Sequence, residues 1–475
     1  MRAVCVLITI MLLSACSPHQ VRKFVRPDIK LPAAFVSVKK YEGGKVVNRP
    51  WWHEFKSSEL NGLVADAFSD NLTLKAAWER LKAARELSIV AGAKRYPALT
   101  VNGNAERIRL KNPEIRGAIN AAQPGVFTFN QFSAGGELSF ELDLWKKLAA
   151  RHAAAFERFK ATEADYENTA LLLAGNVTEL WIKIREERAR LIVLKRRRSV
   201  EKLLTRLVKM RYLGGIDTAA NVHQREVALK AQEVEVLKLK NSLKANLFKL
   251  AVLLGKTPGH YKAKSFKDEL PELPPFPAGV TPLALIENRP DLKAARYQLQ
   301  AAEYDLAAAV AERFPQLKVS FGYGFNATFI EDLFDRERRN TSGSIFFPLF
   351  EGGQRRAEAK RKRYIVNSFI NNYSEKFLKA LEEIETLISF ENNQLKKLKL
   401  LKEQLNHSSS SLEERIGEYS SGVIDSAPLL LAYDSHQHLK EQYLIQKSAL
   451  LINRARLYRA FGLQNYLDSS GKNKN

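Results

Sequence analysis

Residue sets able to do chemistry are sparse in this chain, and each meets an objection from its surroundings. "GYGFNA" (Gly322 to Ala327) fits a loose G-x-G-x-x-A dinucleotide fingerprint. It lies inside a stretch that alternates apolar and polar residues and opens no helix, so it fails the context that pyrophosphate binding needs. His436 and His438 stand two apart on a predicted helix, where side chains diverge. They read as surface histidines, not metal ligands. No G-x-x-x-x-G-K-[ST], H-E-x-x-H or C-x-x-C occurs, and no Ser/His/Asp set stands out. These residues give no metal site and no cofactor, and an exported hydrolase, one competing reading, finds no motif.

The basic runs "KRRR" (Lys195 to Arg198) and "RRAEAKRKR" (Arg355 to Arg363), with a net charge of +23, suit anionic partners. Nucleic acid is one such partner, but the N-terminus points to export. "MRAVCVLITIMLLSACS" has Arg2, a short apolar core and then Leu13-Ser14-Ala15-Cys16. That is a secretory signal (residues 1–15), too short to span a bilayer. Its end resembles the bacterial lipobox, in which the cysteine becomes the lipid-modified first residue; an ordinary signal with a chance cysteine is the alternative. Cys5 would leave with the signal, so the mature chain holds no thiol pair. Ser17 follows, where an Asp would favour inner-membrane retention, so outer-membrane lipid is the expected anchor. On an exported chain the basic runs read as solvated helix faces and not as a nucleic-acid site. The second begins just after a predicted strand, where lipid heads or acidic partner residues would meet it.

The elements that position these residues come in two sets. "LKAAWERLKAARELSIVAGAKRYPALTV" (Leu74 to Val101) aligns without a gap on "LKAARYQLQAAEYDLAAAVAERFPQLKV" (Leu292 to Val319). Tyr212-Leu213-Gly214-Gly215 matches Tyr419-Ser420-Ser421-Gly422, and each is followed by a helical stretch ending at Gly255 or Gly462. The chain is a duplication. Expected domains are a lipid-anchored segment (16–56), a first repeat (57–270), a proline-rich linker (271–282), a second repeat (283–462) and a polar tail (463–475). Each repeat reads helix, strand, loop, strand, long helix, turn, helix. The first helix should run from Leu72 to Arg95. Lys146 to Tyr212 and Gln354 to Tyr419 hold no proline, so each forms a rod of roughly 100 Å at 1.5 Å per residue. Rods that long pack along each other in a bundle or tube.

Strands are expected at about 98–110, 127–142, 316–329 and 341–350. From Leu317 to Phe329 the apolar residues occupy every second position. That is the pattern of an outer-membrane strand, apolar toward lipid and polar toward a wet lumen; a soluble sandwich with one buried face is the alternative. Four strands do not close a barrel, and unpaired edges in lipid cost several kcal/mol per backbone group. On the outer-membrane reading several copies must therefore pool strands.

Several segments together resemble the TolC-like outer-membrane factors, in the lipoprotein NodT/OprM-like branch. They are Cys16, "WWHEF" (Trp51 to Phe55), "FELDLWKKL" (Phe140 to Leu148), "RPDLKAA" (Arg289 to Ala295), "FPLFEGGQRRA" (Phe347 to Ala357) and the two Tyr-x-x-Gly turns. The resemblance implies a mainly α protein with a membrane β part: a homotrimer with a twelve-stranded barrel continuing into a twelve-helix periplasmic tunnel. It implies a passive conduit for small molecules such as drugs, working with a periplasmic adaptor and an inner-membrane pump. It places the closing aperture near Tyr212 to Asn221 and Tyr419 to Asp434. Tyr212, Gly215 and Gly422 become adaptor-contact candidates, and Asp425, Asp434, Tyr419 and Arg415 aperture candidates. Leu431 stands where the family usually carries an aspartate, so Asp425 or Asp434 would supply the acidic ring, with Arg415 and Tyr419 as polar latches. Three symmetry-related carboxylates around one axis attract cations and can raise each other's pKa. A pore-less structural tether and a type I protein-secretion outlet are the competing functions.

Overall fold

The computed structural model describes residues 21, 35–36, 50–111, 126–259, 267–277, 282 and 288–462. Cys16, the signal and the polar tail lie outside the described residues. After a 3-10 turn at Trp51–Phe55 come helices α1 (Ser58–Asp70) and α2 (Leu72–Ala93), strands β1 (Ala98–Lys111) and β2 (Val126–Leu142), and helices α3 (Lys147–Leu213) and α4 (Ala219–Leu253). The second set is α5 (Pro290–Ala311), β3 (Gln316–Ala327), β4 (Glu337–Phe346), α6 (Gln354–Ser420) and α7 (Ser426–Ala460). Duplication survives at the level of single residues: α2 and α5 have 22 residues each, α3 and α6 have 67, α4 and α7 have 35. Among the described residues no helix is long and apolar enough to cross a membrane.

Three elements differ in their bounds from the sequence expectation. Helix α2 stops at Ala93, not Arg95, because Pro97 pushes Tyr96 out of the helical region. Strand β3 stops at Ala327, so Phe329 lies beyond it. Strand β4 runs Glu337–Phe346, four residues earlier than expected. Pro348 lacks the N–H that would continue the ladder, and the turn sits earlier, around Ile330–Asp332. Arg338 and Arg339 are therefore strand residues.

The described residues fall into two compact units, one from Leu81–Thr162 and Ala295–Tyr373, the other from Asp28–Arg80, Glu163–Ala294 and Ser374–Asn475. The first carries one antiparallel sheet in the order β1-β2-β3-β4. Its helical part has thin, small-residue cores: Leu299, Ala302, Leu306 and Val366 in one, Ala150, Ala307 and Ala308 in another. Alanine lets helices approach closely, and such packing suits rods lying side by side, not a globule.

The second unit has a larger core. Trp51, Trp52 and Phe55 pack with Leu60, Trp181, Leu250 and Tyr458. Trp51 stacks on Tyr458 with centroids 5.8 Å apart, the Tyr458 hydroxyl donates to the Pro275 carbonyl at 2.5 Å, and Trp181 Nε1 donates to Glu59 at 3.0 Å. This anchoring is the physical role of "WWHEF". The two repeats also end their returning helices in the same way. Gly255 and Gly462 have φ of +66° and +68°, conformations open to glycine. A Cβ on Gly462 would stand 2.8 Å from the Asn288 carbonyl, and one on Gly255 would overlap the Asp70 carbonyl. The residue after each of those donates to the returning helix: Asn71 Nδ2 to the Leu253 carbonyl at 2.9 Å, Arg289 Nη1 to the Ala460 carbonyl at 3.1 Å. Arg289 also binds Asp291 in bidentate fashion at 3.0 and 2.9 Å and Glu383 at 2.8 Å, which accounts for the "RPD" of the second repeat.

Candidate functional site: a two-faced sheet and two helix turns

Opposed residues in a ladder share a face, so the register sorts the sheet. One face carries Leu317, Val319, Phe321, Tyr323 and Phe325 of β3, paired across to Leu142, Phe140, Leu138, Gly136 and Ala134 of β2, with Leu99 and Val101 beside them on β1. Leu99, Val101, Leu138, Val319, Phe321 and Tyr323 are exposed in the single chain, Val101 at 82% and Leu99 at 70%, and the others are half-buried. The opposite face carries Asn102, Ser133, Gly135, Glu137, Ser320, Gly324, Arg338, Asn340 and Ser342 around a concavity of about 390 Å³. Gly135 and Gly324 face each other there. A Cβ on Gly135 would lie 2.8 Å from the Gly324 Cα, and one on Gly324 2.7 Å from the Ala134 carbonyl oxygen. The strands thus crowd together on the polar side, so the sheet curls toward it. The polar face is concave and the apolar face convex, as in a barrel wall. From Leu317 to Phe325 the apolar stripe spans about 27 Å along the strand, or roughly 20 Å at the usual tilt, comparable with a membrane barrel's apolar band.

The sheet joins its helices through the motif residues. In "FELDLWKKL", Asp143 accepts from the Leu148 and Ala149 amides at 2.9 and 2.7 Å, capping α3. Trp145 donates to the Pro315 carbonyl at 2.7 Å and stacks on Phe314 at 4.9 Å, and Lys147 pairs with Glu141. In "FPLFEGGQRRA", Gly352 and Gly353 take φ of +57° and +86°; Arg355 pairs with Glu351 at 2.8 Å and donates to the Glu312 carbonyl. Further along that basic run Arg361 binds Glu358 at 2.6 Å and Lys362 binds Asp305 at 3.3 Å. Half of its charge is answered within the chain.

In the other unit the two Tyr-x-x-Gly turns are built alike. Gly215 and Gly422 have φ of +75° and +76°. Each closes a paired-amide cap: Ile216 N to Arg211 O and Gly215 N to Tyr212 O, against Val423 N to Glu418 O and Gly422 N to Tyr419 O. Tyr212 and Tyr419 are both exposed. Asp425 precedes α7 but makes no side-chain cap; its carboxylate accepts from Arg211 Nη1 at 3.1 Å and stays 75% exposed. This bond draws the two turns together. Arg415 binds Glu418 on its own helix at 2.8 Å, and no bond joins it to Asp425, Asp434 or Tyr419 among the described residues.

Asp434 is committed elsewhere. Arg197 Nε and Nη2 grip it at 3.0 and 3.3 Å, while Arg197 Nη1 reaches Glu441 at 3.2 Å. Arg190 binds Glu441 at 2.8 Å and Glu186 at 3.1 Å, and Lys183 extends the chain to Glu186 at 2.5 Å. Burial would depress the Arg197 guanidinium, but the bonds and charge of Asp434 and Glu441 reverse that and raise its pKa. This ladder between α3 and α7 escaped the sequence reading. Its signal was present: Arg190 and Arg197, like Asp434 and Glu441, stand seven apart, a coiled-coil repeat. The rest of "KRRR" (Lys195, Arg196 and Arg198) is exposed with no ion pair among the described residues. His436 and His438 form no metal cluster among the described residues.

A protein family described as "Outer membrane efflux protein" matches residues 63–256 and 282–463. Among curated relatives, the pyoverdine export outer membrane protein OpmQ of Pseudomonas aeruginosa is 26% identical over 415 residues, covering 87% of this chain and 86% of that protein. The probable outer membrane lipoprotein SilC of Salmonella typhimurium is 24% identical over 468 residues, covering 96% and 97%. Among solved structures, the outer-membrane channel OprN superposes with a TM-score of 0.81 at 24% identity, covering 92% of this chain and 98% of that one. The Campylobacter jejuni CmeC channel gives 0.83 at 20% identity, covering 94% and 95%. With both repeats matched, the chain belongs to the outer membrane efflux protein family.

Proposed function

We propose that three copies of this chain form the outer-membrane conduit of a tripartite efflux assembly. Their sheets pool into a twelve-stranded barrel and their long helices into a twelve-helix periplasmic tunnel. One observation carries this reading: a four-stranded antiparallel sheet, convex and apolar on one side, concave and polar on the other, with β1 and β4 both edge strands. In lipid each free edge must be paired, and an even antiparallel set lets β4 of one copy pair with β1 of the next.

A periplasmic adaptor and an inner-membrane pump complete the assembly, and the pump supplies the energy; no residue of this chain has a catalytic role. Cys16 carries the lipid anchor. Residues 57–270 and 283–462 are the two efflux repeats. The turns at Tyr212, Gly215 and Gly422 meet the adaptor. Of the two aspartates, Asp425 fits the acidic ring better, since it is mostly exposed while Arg197 holds Asp434. Tyr419 and Arg415 remain its candidate latches. Relatives are named for pyoverdine export, cation efflux and fusaric acid resistance. A lumen of hydroxyls and amides, with Glu106, Glu137, Glu141, Lys318 and Arg338 on the same face, suits polar or amphipathic small molecules of that range, drugs among them.

Purified protein in planar bilayers tests the reading. It predicts cation-preferring conductance that Asp425→Asn makes less cation-selective. Electrical silence from correctly assembled trimers would leave only a tether.

A further inference from the structure

The convex face changes chemistry partway along β1. From Leu99 through Val101 to Ala105 it is apolar; at the next three outward positions stand Arg107, Arg109 and Lys111. The register runs unbroken from Ala98↔Ser139 to Lys111↔Val126, so no bulge turns these cations inward. The concave face inverts at the same level. Its Thr100, Asn102 and Asn104 give way to Ile108 and Leu110. All three cations are exposed, and none has an ion pair among the described residues. Their neighbours on β2 across the ladder are Asn130, Thr128 and Val126. Among the described residues the nearest carboxylate in sequence, Glu106, stands on the other face; Glu114 lies outside the described residues. The other charges on the convex face, Arg339 and Glu337 of β4, neutralise each other at 3.2 Å, with Arg339 over the Tyr323 ring.

Alternate residues on a strand are about 7 Å apart, so the three charges span roughly 14 Å at one edge of the apolar band. They lie at the strand end away from α2 and α3. With the helices in the periplasm, that is the level of the outer-leaflet headgroups. A solvated, extracellular cation has no reason to keep to the lipid-facing side at three successive turns of the pleat. A headgroup carrying more than one phosphate supplies one. Arg forks and a Lys ammonium can each bind phosphate oxygens, while Asn130 and Thr128 offer further hydrogen bonds.

We propose that Arg107, Arg109 and Lys111 form a binding site for a multiply phosphorylated lipid of the outer leaflet, on the convex surface of the barrel wall. The site rests on the lumen-inside reading above. It survives closure, because pairing of the β1 edge uses backbone groups and leaves the outward side chains free.

The test uses full-length protein extracted from membranes as the assembled oligomer. Native mass spectrometry and thermal melts would be run with bisphosphoryl lipid A, its dephosphorylated form and inorganic phosphate. Wild type should bind and be stabilised by the bisphosphoryl lipid, and respond to neither of the others. The triple variant Arg107→Gln, Arg109→Gln, Lys111→Gln should bind it roughly a hundredfold more weakly, given the usual contribution of a cation near an anionic surface. The charge-keeping variant Arg107→Lys, Arg109→Lys should retain most binding. Equal response of wild type to the two lipids overturns the site whether or not the triple variant folds. A response to inorganic phosphate that matches the bisphosphoryl lipid overturns it too, since a free anion would then be the ligand. Conducting trimers that ignore the phosphorylated lipid would remove this site and leave the conduit intact.

Discussion

Glu391 and Arg454 are both almost wholly enclosed, at 0% and 3% exposure. Arg454 binds Glu391 and the Pro274 carbonyl, and Asn453 adds a bond to Glu391 at 3.3 Å. A buried carboxylate is tolerated only while such partners answer its charge. Arg454→Met should therefore destabilise the chain by about 3–5 kcal/mol, and Arg454→Met with Glu391→Leu should recover much of that loss; unfolding midpoints of detergent-extracted protein would read both. Asp291 gives a pH prediction. Burial pushes its carboxyl up, but the hydrogen bonds and charge of Arg289 outweigh that and hold it below its ordinary value of 3.8. Its stabilising contribution is present above that value and is lost as pH falls through the depressed one. Acid unfolding of Asp291→Asn should show a shallower loss of stability below about pH 4 than wild type, measured by midpoint against pH.

At the scale of elements, curvature and caps decide the outcome. Gly135 and Gly324 allow the sheet to curl because neither carries a Cβ where the strands nearly touch. Gly135→Val should flatten the wall and abolish assembled oligomers on native gels. Gly343→Ala on β4, with open space around its Cα, should leave them unchanged. The turn glycines act differently: Gly422→Ala strains a left-handed residue and should cost about 1 kcal/mol, loosening the turn without unfolding the helices. Much of this was legible. Period-two alternation marks β3 because each position maps to one face. It did not reveal the switch beyond Glu106, where "RIRL" keeps alternating with its phase exchanged. Nor did it place β4, where Pro348 and pairing to β3 set limits that composition does not state. Asp434 was found by counting along a helix, but counting gives no face; its partner Arg197 is 237 residues away.

The whole molecule follows from duplication with divergence. Helix lengths agree to the residue, yet the repeats differ in charge at their turns. α3 presents Lys202, Arg206 and Lys209 to solvent, whereas α6 presents Glu403, Glu413 and Glu414 at the corresponding end. The duplication could be read from "LKAA" and the paired turns; which helices the heptad-spaced charges join, and the face that Arg107, Arg109 and Lys111 share, required coordinates. The proposed conduit requires β4 of one copy to pair with β1 of the next. Within one chain these edges are three strand spacings apart, about 14 Å, beyond the reach of a disulfide. Single cysteines replacing β1 residues around Asn102, each combined with Ser342→Cys and neighbouring β4 positions, would be oxidised in intact outer membranes. Edge pairing between copies should give a covalent trimer on denaturing gels at one register, with trapping that recurs at every second residue. Monomers at every register, from protein that is inserted and folded, would contradict it.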